Sequence, residues 1–229
     1  MGNLSTPESV QKLQRALHAK AKTTPGFRFY ALYDKIFRED ILVHAYHQCR
    51  SNKGAPGVDS QDFADVEAYG VQRWLRELAL ALREERYRPD PIRRVYIPKA
   101  NGKLRPLGIS TLRDRVRMTA AMLVLDPIFE ADLPPEQYAY RQGRNAQQAV
   151  REVEETLFYD HPDVVDADLA DYFGSIPHAE LMLSLARRIV DGRVLHLIKM
   201  WLECAVEDTD DKGRKRRTTE AKDLSLIHI

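Results

Sequence analysis

The chain has 229 residues, of which 44% are hydrophobic and 30% charged, so it can bury the core of one large domain or two small ones. No apolar run approaches the roughly 18 residues that a membrane-spanning helix needs, and no signal-peptide pattern opens the chain, which predicts a cytoplasmic protein without a membrane partner. Cys49 and Cys204 have no second Cys or His at ligand spacing, which predicts packed thiols rather than a disulfide framework or a zinc site.

The net charge of +1 conceals a strong segregation of charge along the chain. From Arg73 to Arg117 there are 13 lysines and arginines against 5 acidic residues, whereas from Met118 to Tyr172 there are 3 against 12. One interpretation is a protein that binds a polyanion with its basic part and holds cations with its acidic part. The other is chance clustering of charged helix faces.

The first 50 residues predict helices. Pro25-Gly26 separates two helical regions, and a loop rich in Gly, Pro and Asn follows at 51–59. Lys53, in that loop, is a candidate phosphate contact, although a plain connector is the commoner use of such a loop. The apolar positions expected to be buried are Val10, Leu13, Leu17, Leu32, Ile36, Leu42 and Tyr46.

A β-hairpin is predicted between Ile92 and Ile109. A helix striped by Trp74, Leu75, Leu78 and Leu82 and ending near Tyr87 precedes it. Two β-rich runs then flank Asn101-Gly102, which is the strongest short hairpin signal. Pro98 and Pro106 place the hairpin at an exposed edge. Its basic residues, which either meet phosphates or only solubilise the hairpin, are Lys99, Lys103 and Arg105.

The next predicted element is a helix that Thr111 caps. We expect Pro127 to limit this helix, after which comes the polar block Tyr138 to Arg144. Its expected apolar stripe is Val116, Ala120, Leu123 and Val124.

A short apolar run at 164–165 is followed by carboxylates, a pair of aromatic residues and a turn. This pattern predicts a strand that carries acidic side chains to the rim of a site. Divalent ions such as Mg²⁺ need carboxylate ligands in phosphoryl transfer, so Asp168 is a candidate metal ligand, with Phe173 beside an incoming sugar. The alternative is that Asp166, Asp168 and Asp171 are only the polar face of a solvated edge strand.

Beyond Pro177 the sequence predicts two helices and a loop. The first helix would bury Met182, Leu185, Ala186 and Ile189, and the second spans about 194–205. The charged segment from Glu207 to Arg217 predicts a solvated loop that includes Asp210-Asp211. Its basic run either touches RNA or is a solvated turn.

Two of these segments resemble motifs of bacterial group II intron reverse transcriptases. The segment from Arg94 to Ile109 resembles the fingers motif of that family, and the resemblance implies that Lys99 and Arg105 bind the triphosphate of the incoming nucleotide. The segment from Asp168 to Phe173 resembles the first carboxylate motif. There the resemblance implies metal binding by the Asp168 carboxylate and the Leu169 carbonyl, triphosphate contacts from the amides of Asp171 and Tyr172, and sensing of the 2′-hydroxyl by Phe173.

A third segment, Tyr138 to Arg144, corresponds to the family's Tyr-Gly-Phe-Arg-Pro-Gly-Arg. The resemblance implies that Arg141 and Arg144 contact the template or structural carboxylates, and together with Lys53 and Arg94 they are the RNA-binding candidates. The chain departs from the family pattern at Ala139 and Gln142, at Ser110 where Pro is usual, and at Arg117-Met118 where Val-Gln is usual.

The resemblance implies an α+β fold with the fingers and partial palm of a right-hand polymerase. The expected division is a helical N-terminal extension at 1–70, fingers at 71–160 and the start of the palm at 161–223. The implied activity is RNA-directed DNA polymerisation with Mg²⁺, an RNA template, a DNA primer and deoxynucleoside triphosphates, together with maturase binding of the intron RNA. The alternatives are an RNA-binding splicing factor without polymerase activity and a retron or defence-associated reverse transcriptase.

Two motifs of the family, Tyr-x-Asp-Asp and Pro-Gln-Gly, do not occur in the 229 residues. The last six residues, 224–229, break the hydrophilic character and match a translation of a library-preparation adaptor, which suggests a coding sequence truncated near Asp223. The alternative is a natural apolar strand that starts there. With one of the three usual carboxylates, the 229-residue chain alone is expected to be inactive.

Overall fold

The computed structural model describes residues 5–98, 102–159, 161–169, 172–209 and 214–218. Helices and a small sheet share these residues, so the α+β class expected from the sequence is confirmed. The helices are α1 (Glu8–Thr23), α2 (Tyr33–Ile36), α3 (Glu39–Ser51), α4 (Phe63–Tyr69), α5 (Val71–Arg83), α6 (Leu112–Glu130), α7 (Ala146–Phe158), α8 (Tyr172–Ser175), α9 (His178–Ala186) and α10 (Gly192–Leu202). The strands are β1 (Ile92–Pro98), β2 (Leu104–Ile109), β3 (Val206–Thr209) and β4 (Lys215–Thr218).

The main core is helical, with α6 packed against α1, α2 and α3. The apolar stripes predicted for the first 82 residues and for α6 lie in this core, with Leu13 packed against it. The region 29–46, expected to be helical, begins its helix only at Tyr33 and is divided, because Phe37 and Arg38 separate α2 from α3. Fully buried side chains of the core include Val10, Ile36, Leu42, Trp74, Leu78, Leu82, Val116 and Val124.

Helix α6 does not end at Pro127, so that prediction was wrong. Proline has no N–H to donate to the carbonyl four residues earlier, which here belongs to Leu123. The side chain of Gln14 in α1 supplies the missing donor, since its Nε2 lies 3.0 Å from the Leu123 oxygen. The helix therefore continues to Glu130 because a neighbouring helix pairs the carbonyl that the proline leaves without its usual donor.

The four strands form one sheet in the order β2-β1-β3-β4. β1 and β2 pair antiparallel from Arg93 opposite Ile109 to Pro98 opposite Leu104, which confirms the predicted hairpin. β1 pairs with β3 in parallel only at Ile92 and Arg93. The outer half of the hairpin therefore projects beyond the rest of the sheet, with β2 and its Pro106 at the edge.

The segment from Glu207 to Arg217 was expected to be a loop, and this expectation was wrong, because β3 and β4 pair antiparallel there. The carboxylate of Glu207 is buried between Lys215 at 2.9 Å and Arg217 at 3.0 Å. Hydrogen bonds from these two side chains hold the pKa of Glu207 below its ordinary value. Opposite charges across a strand pair stabilise it, so this charged sequence is compatible with a hairpin. Asp210 and Asp211 lie outside the described residues.

The stripe predicted after Pro177 is only partly buried. α9 begins at His178 as expected, but Met182, Leu185 and Ala186 are half-buried. Ile189 is buried beyond the end of the helix, where its backbone bridges Phe29 in the N-terminal region. The chain leaves the helix after Ala186 because this pairing needs extended backbone.

The predicted loop after α3 is confirmed, and Gly57 fits it closely against the start of α6. A Cβ atom at Gly57 would lie 2.7 Å from both the backbone nitrogen and the Cα of Thr111. The side chain of Arg115 also reaches this loop, donating to the carbonyl of Ala55 at 2.8 Å. The loop therefore packs backbone to backbone on α6 at this point.

Gly57→Ala is expected to lower the free energy of unfolding by about 1–3 kcal/mol, because backbone atoms cannot move aside as a flexible side chain can. Chemical denaturation of the two proteins measures the difference. Gly26→Ala is the matched control, since a Cβ there would meet nothing within 4 Å. Equal stability of the two variants would contradict the close approach.

Candidate functional site

The outer half of the β1–β2 hairpin carries one of the two expected triphosphate ligands. Arg105 lies opposite Ile97 in the register, on the part of the hairpin that projects from the sheet. Tyr96, Ile97 and Leu104 around it are exposed. Lys99, the other expected ligand, lies outside the described residues. The position of Arg105 is thus accessible to a ligand approaching from solvent.

The root of the hairpin, where the chain enters β1 and leaves β2, is held by a buried carboxylate. This is Asp114, in the first turn of α6. Its Oδ2 accepts the backbone N–H of Asp90 at 2.9 Å and the hydroxyl of Thr111 at 2.9 Å. Its Oδ1 accepts the Tyr87 hydroxyl at 2.6 Å, and that hydroxyl in turn accepts Trp201 Nε1–H at 2.9 Å. One carboxylate therefore joins the residues just before β1 to those just after β2.

Arg117 completes this buried network. Its guanidinium lies 4.3 Å from the centre of the Tyr87 ring and 3.9 Å from Asp114. Burial raises the pKa of Asp114 and lowers that of Arg117, whereas burial and the nearby Asp114 raise the pKa of Tyr87. Sequence reasoning noted Arg117 only as a departure from the family pattern. The available signal was the position of Arg117, a charged residue directly after Val116 of the buried stripe, which indicates a buried ion pair.

Arg94 and Lys53, two of the RNA-binding candidates, differ in their surroundings. The Arg94 side chain is largely buried and lies 3.7 Å from the carboxylate of Asp208 on β3, which also accepts the Tyr96 hydroxyl at 3.2 Å. Lys53 is exposed in the loop after α3, with a left-handed backbone at φ 50°. Arg94 thus contacts a protein carboxylate, and Lys53 extends into solvent.

Arg141 and Arg144 also lie in different environments. The Arg141 guanidinium donates to Glu130 at 2.6 Å and to the carbonyls of Pro134 and Gln137. Of its two expected partners, it contacts the structural carboxylate. Arg144 is exposed and lies 5.1 Å from the centre of the Tyr138 ring.

The strand expected from the apolar run at 164–165 to Asp168 does not form, so this expectation was wrong: residues 161–169 have no regular secondary structure and are exposed. A strand needs a neighbour for its backbone hydrogen bonds, and within the described residues none pairs with this segment. Asp168 and Leu169 are thus both exposed to solvent. Asp171 lies outside the described residues, and α8 follows at Tyr172.

An exposed aromatic cluster connects this segment to the block 138–144. The Phe173 ring lies 5.2 Å from that of Tyr172 and meets the ring of Tyr140 edge-on at 6.1 Å. Tyr140 has a left-handed backbone at φ 59°, which is uncommon for an aromatic residue, and is 88% exposed. Sequence reasoning assigned no role to Tyr140, although its place directly before the candidate Arg141 was a signal.

Among the residues that the structure describes, no group of three or more His, Cys, Asp or Glu side chains is placed to hold a metal ion. The single exposed carboxylate of Asp168 does not make a two-metal site. The described residues therefore do not fit Mg²⁺ by themselves, and any such ion needs further ligands.

The family described as reverse transcriptase (RNA-dependent DNA polymerase) matches residues 97–222, which is more than half of the chain. The chain belongs to the reverse transcriptase family. The match runs from the outer part of the β1–β2 hairpin through the block 138–144, the Asp168 segment and the β3–β4 hairpin. It confirms the family resemblance found in the sequence.

Several known proteins are similar to this chain in sequence. Protein YkfC of Escherichia coli K12 is 38% identical over 199 residues, covering 82% of this chain and 51% of its own length. The group II intron-encoded protein LtrA of Lactococcus lactis is 30% identical over 177 residues, covering 76% of this chain and 29% of its own length. The chain thus spans about half or less of these relatives.

A chain of the solved structure titled "Partial Cas6-RT-Cas1--Cas2 complex" is similar to this reverse transcriptase chain at 21% identity, with a TM-score of 0.47. The match covers 79% of this chain and 29% of the chain in that structure. That likeness is too low to support an argument.

No helix within the described part of the chain is long and apolar enough to cross a membrane.

Proposed function

We propose that this chain is part of an RNA-directed DNA polymerase encoded by a group II intron. The observation that supports this best is the family match over 97–222, because it includes both the projecting hairpin with Arg105 and the segment with Asp168. The relationship to an intron-encoded protein favours the intron type over a retron or defence-associated enzyme.

Within this proposal, 1–70 is a helical N-terminal extension, 71–160 forms the fingers and 161–223 begins the palm. Lys99 and Arg105 bind the triphosphate of a deoxynucleotide, the amides of Asp171 and Tyr172 assist them, and Phe173 senses the sugar. The Tyr140 ring fits this arrangement because it packs on Phe173. Lys53 and Arg144 are exposed and available to RNA, whereas Arg94 and Arg141 are held against Asp208 and Glu130 and act through the structure.

The reverse transcriptase family generally uses a divalent metal ion, and we propose Mg²⁺ here. Asp168 would contribute one carboxylate and Leu169 its carbonyl, with the remaining ligands coming from outside the described residues. When bound, such an ion neutralises charge on the phosphates. The exposure of Asp168 leaves its carboxylate accessible for this role.

RNA binding without polymerisation is the second candidate function. The basic residues of 73–117 and the exposed Arg144 suit an RNA partner in either case, including the intron RNA of a maturase and the RNA template with its DNA primer. The two functions differ in whether the metal site is completed.

The sequence of the source gene beyond codon 223, read from an unfragmented template, tests the proposal. We expect the reading frame to continue through Pro-Gln-Gly and Tyr-x-Asp-Asp motifs, which would supply the missing carboxylates. A frame that continues without Tyr-x-Asp-Asp, or that ends at codon 229, would favour the RNA-binding function.

A further inference from the structure

Both ends of the β1–β2 hairpin are attached to the same carboxylate oxygen. Asp90 lies two residues before β1 and Thr111 two residues after β2, and each donates a hydrogen bond to Asp114 Oδ2 at 2.9 Å. We propose that Asp114 is a positioning residue that fixes the orientation of the hairpin, and with it the triphosphate ligand Arg105, relative to the helical core. The consequence for the nucleotide rests on the proposed function.

The printed backbone attachments of the hairpin lie at its root, whereas further out the Tyr96 hydroxyl and the Arg94 guanidinium contact the carboxylate of Asp208 on β3. Pairing with β3 covers only Ile92 and Arg93, and the N–H of Ile92 donates to the carbonyl of Ala205 at 2.8 Å. On the β2 side, Arg115 donates to the carbonyl of Ser110 at 2.9 Å. The backbone of the hairpin is therefore directed from its root, within a few residues of Asp114, and the side-chain contacts to Asp208 support β1 further out.

Asp114 is itself held on rigid structure. It belongs to the first turn of the 19-residue helix α6, which packs in the core. Its Oδ1 is bound by the Tyr87 hydroxyl, which Trp201 of α10 fixes from the other side. Three separate parts of the chain thus immobilise the carboxylate, so it can transmit the orientation of α6 to the hairpin.

Small changes at this root become large at the tip. At about 3.3 Å per residue, the strand from Ile92 to Pro98 reaches about 20 Å, so a tilt of about 5° at the root displaces the tip by about 2 Å. A displacement of this size takes a side chain out of reach of its ligand, since a hydrogen bond needs about 2.7–3.2 Å between its heavy atoms. The root contacts therefore matter for nucleotide placement although they lie far from the nucleotide.

The test compares Asp114→Ala with Tyr87→Phe. Both variants break the buried network, but Tyr87→Phe removes the bonds of the hydroxyl to Asp114 Oδ1 and to Trp201 and leaves both hairpin bonds to Oδ2. Hydrogen exchange of the 229-residue chain is followed at 92–98 and 104–109 and, as a reference for global stability, in α3 and α5. We expect Asp114→Ala to accelerate hairpin exchange at least about tenfold more than Tyr87→Phe does, with similar changes in α3 and α5.

Equal hairpin exchange in the two variants, or acceleration in α3 and α5 as large as in the hairpin, would overturn the proposal. If Asp114→Ala does not fold, Thr111→Val replaces it. This change removes the β2-side bond to Asp114, together with the longer hydroxyl contacts to the Asp114 amide and to Asp90 at 3.4 Å, and leaves the bond from the Asp90 amide to Oδ2. It should accelerate exchange at 107–109 more than Tyr87→Phe does, and no such difference would equally overturn the proposal.

Steady-state kinetics of the protein encoded by the complete gene distinguish a failure of this inference from a failure of the proposed function. We expect Asp114→Ala to raise the KM for deoxynucleotides about tenfold while kcat changes less, since binding of the nucleotide depends on hairpin orientation. A wild-type protein that does not polymerise would contradict the proposed function, and the exchange data would then decide the role of Asp114 alone.

Discussion

Asp168→Asn in the product of the complete gene is expected to reduce primer extension on an RNA template at least about 1000-fold. The neutral amide is a poor ligand for a hard divalent ion, which prefers carboxylates. Such ions provide several kcal/mol of charge stabilisation, and each 1.4 kcal/mol corresponds to about tenfold in rate. Extension rates on a labelled primer measure the effect.

Asp166→Asn is the matched control for this change, because Asp166 is also exposed, two residues earlier in the same segment. It is expected to leave extension unchanged. Neither substitution should alter RNA affinity or change the free energy of unfolding by more than about 0.5 kcal/mol, since both side chains are in solvent. An unchanged rate in the Asp168→Asn variant, or equal losses in both variants, would refute the metal assignment.

Asp191→Ala is expected to lower the free energy of unfolding by about 3–5 kcal/mol, because two buried amides lose their acceptor. The Asp191 Oδ2 accepts the backbone N–H groups of Leu32 at 2.8 Å and Tyr33 at 2.9 Å, at the start of α2. Its Oδ1 accepts the N–H of Arg193 at 3.2 Å, at the start of α10. One side chain therefore joins the N-terminal helices to the last described helix, and urea denaturation at pH 7 measures its contribution.

Asp34→Ala is the control, since Asp34 is exposed and its ion pair with Lys35 contributes at most about 1 kcal/mol.

Asp191 also makes the stability difference between the wild type and the Asp191→Ala variant dependent on pH. Burial raises the pKa of Asp191, but the amide hydrogen bonds outweigh it and hold this pKa below its ordinary value. The unfolded state thus takes up the proton first as the pH falls.

The stabilisation by Asp191 is therefore fully present above the unfolded pKa of about 3.9 and is lost as the pH falls through the lower folded pKa. Denaturation of both proteins at pH 7 and near pH 3 should show the difference shrinking in acid. A difference that stays constant or grows in acid would contradict this role of the charge.

Local patterns predicted much of the fold. The buried stripes of α1, α5 and α6 follow from helical periodicity, and the β1–β2 hairpin follows from Asn101-Gly102 between two β-rich runs. Features that depend on distant residues were not predictable in this way. Gln14 compensates Pro127 from another helix, and β3 and β4 become strands because their charges pair across the sheet.

The candidate site shows the same division. The sequence places Arg105 on an exposed hairpin, and the structure agrees. The strand expected before Asp168 needs a pairing partner, which the pattern of a single segment cannot supply. The network around Asp114 was missed because it joins Tyr87, Arg117 and Trp201, residues that are separated along the chain.

The most direct test of polymerase function is primer extension by the product of the complete gene. With an RNA template, a labelled DNA primer, deoxynucleotides and Mg²⁺, we predict extension that chelation of the ion abolishes. The 229-residue chain serves as the comparison and should give no extension. A folded gene product that binds RNA but does not lengthen the primer would contradict the polymerase assignment and support the RNA-binding function instead.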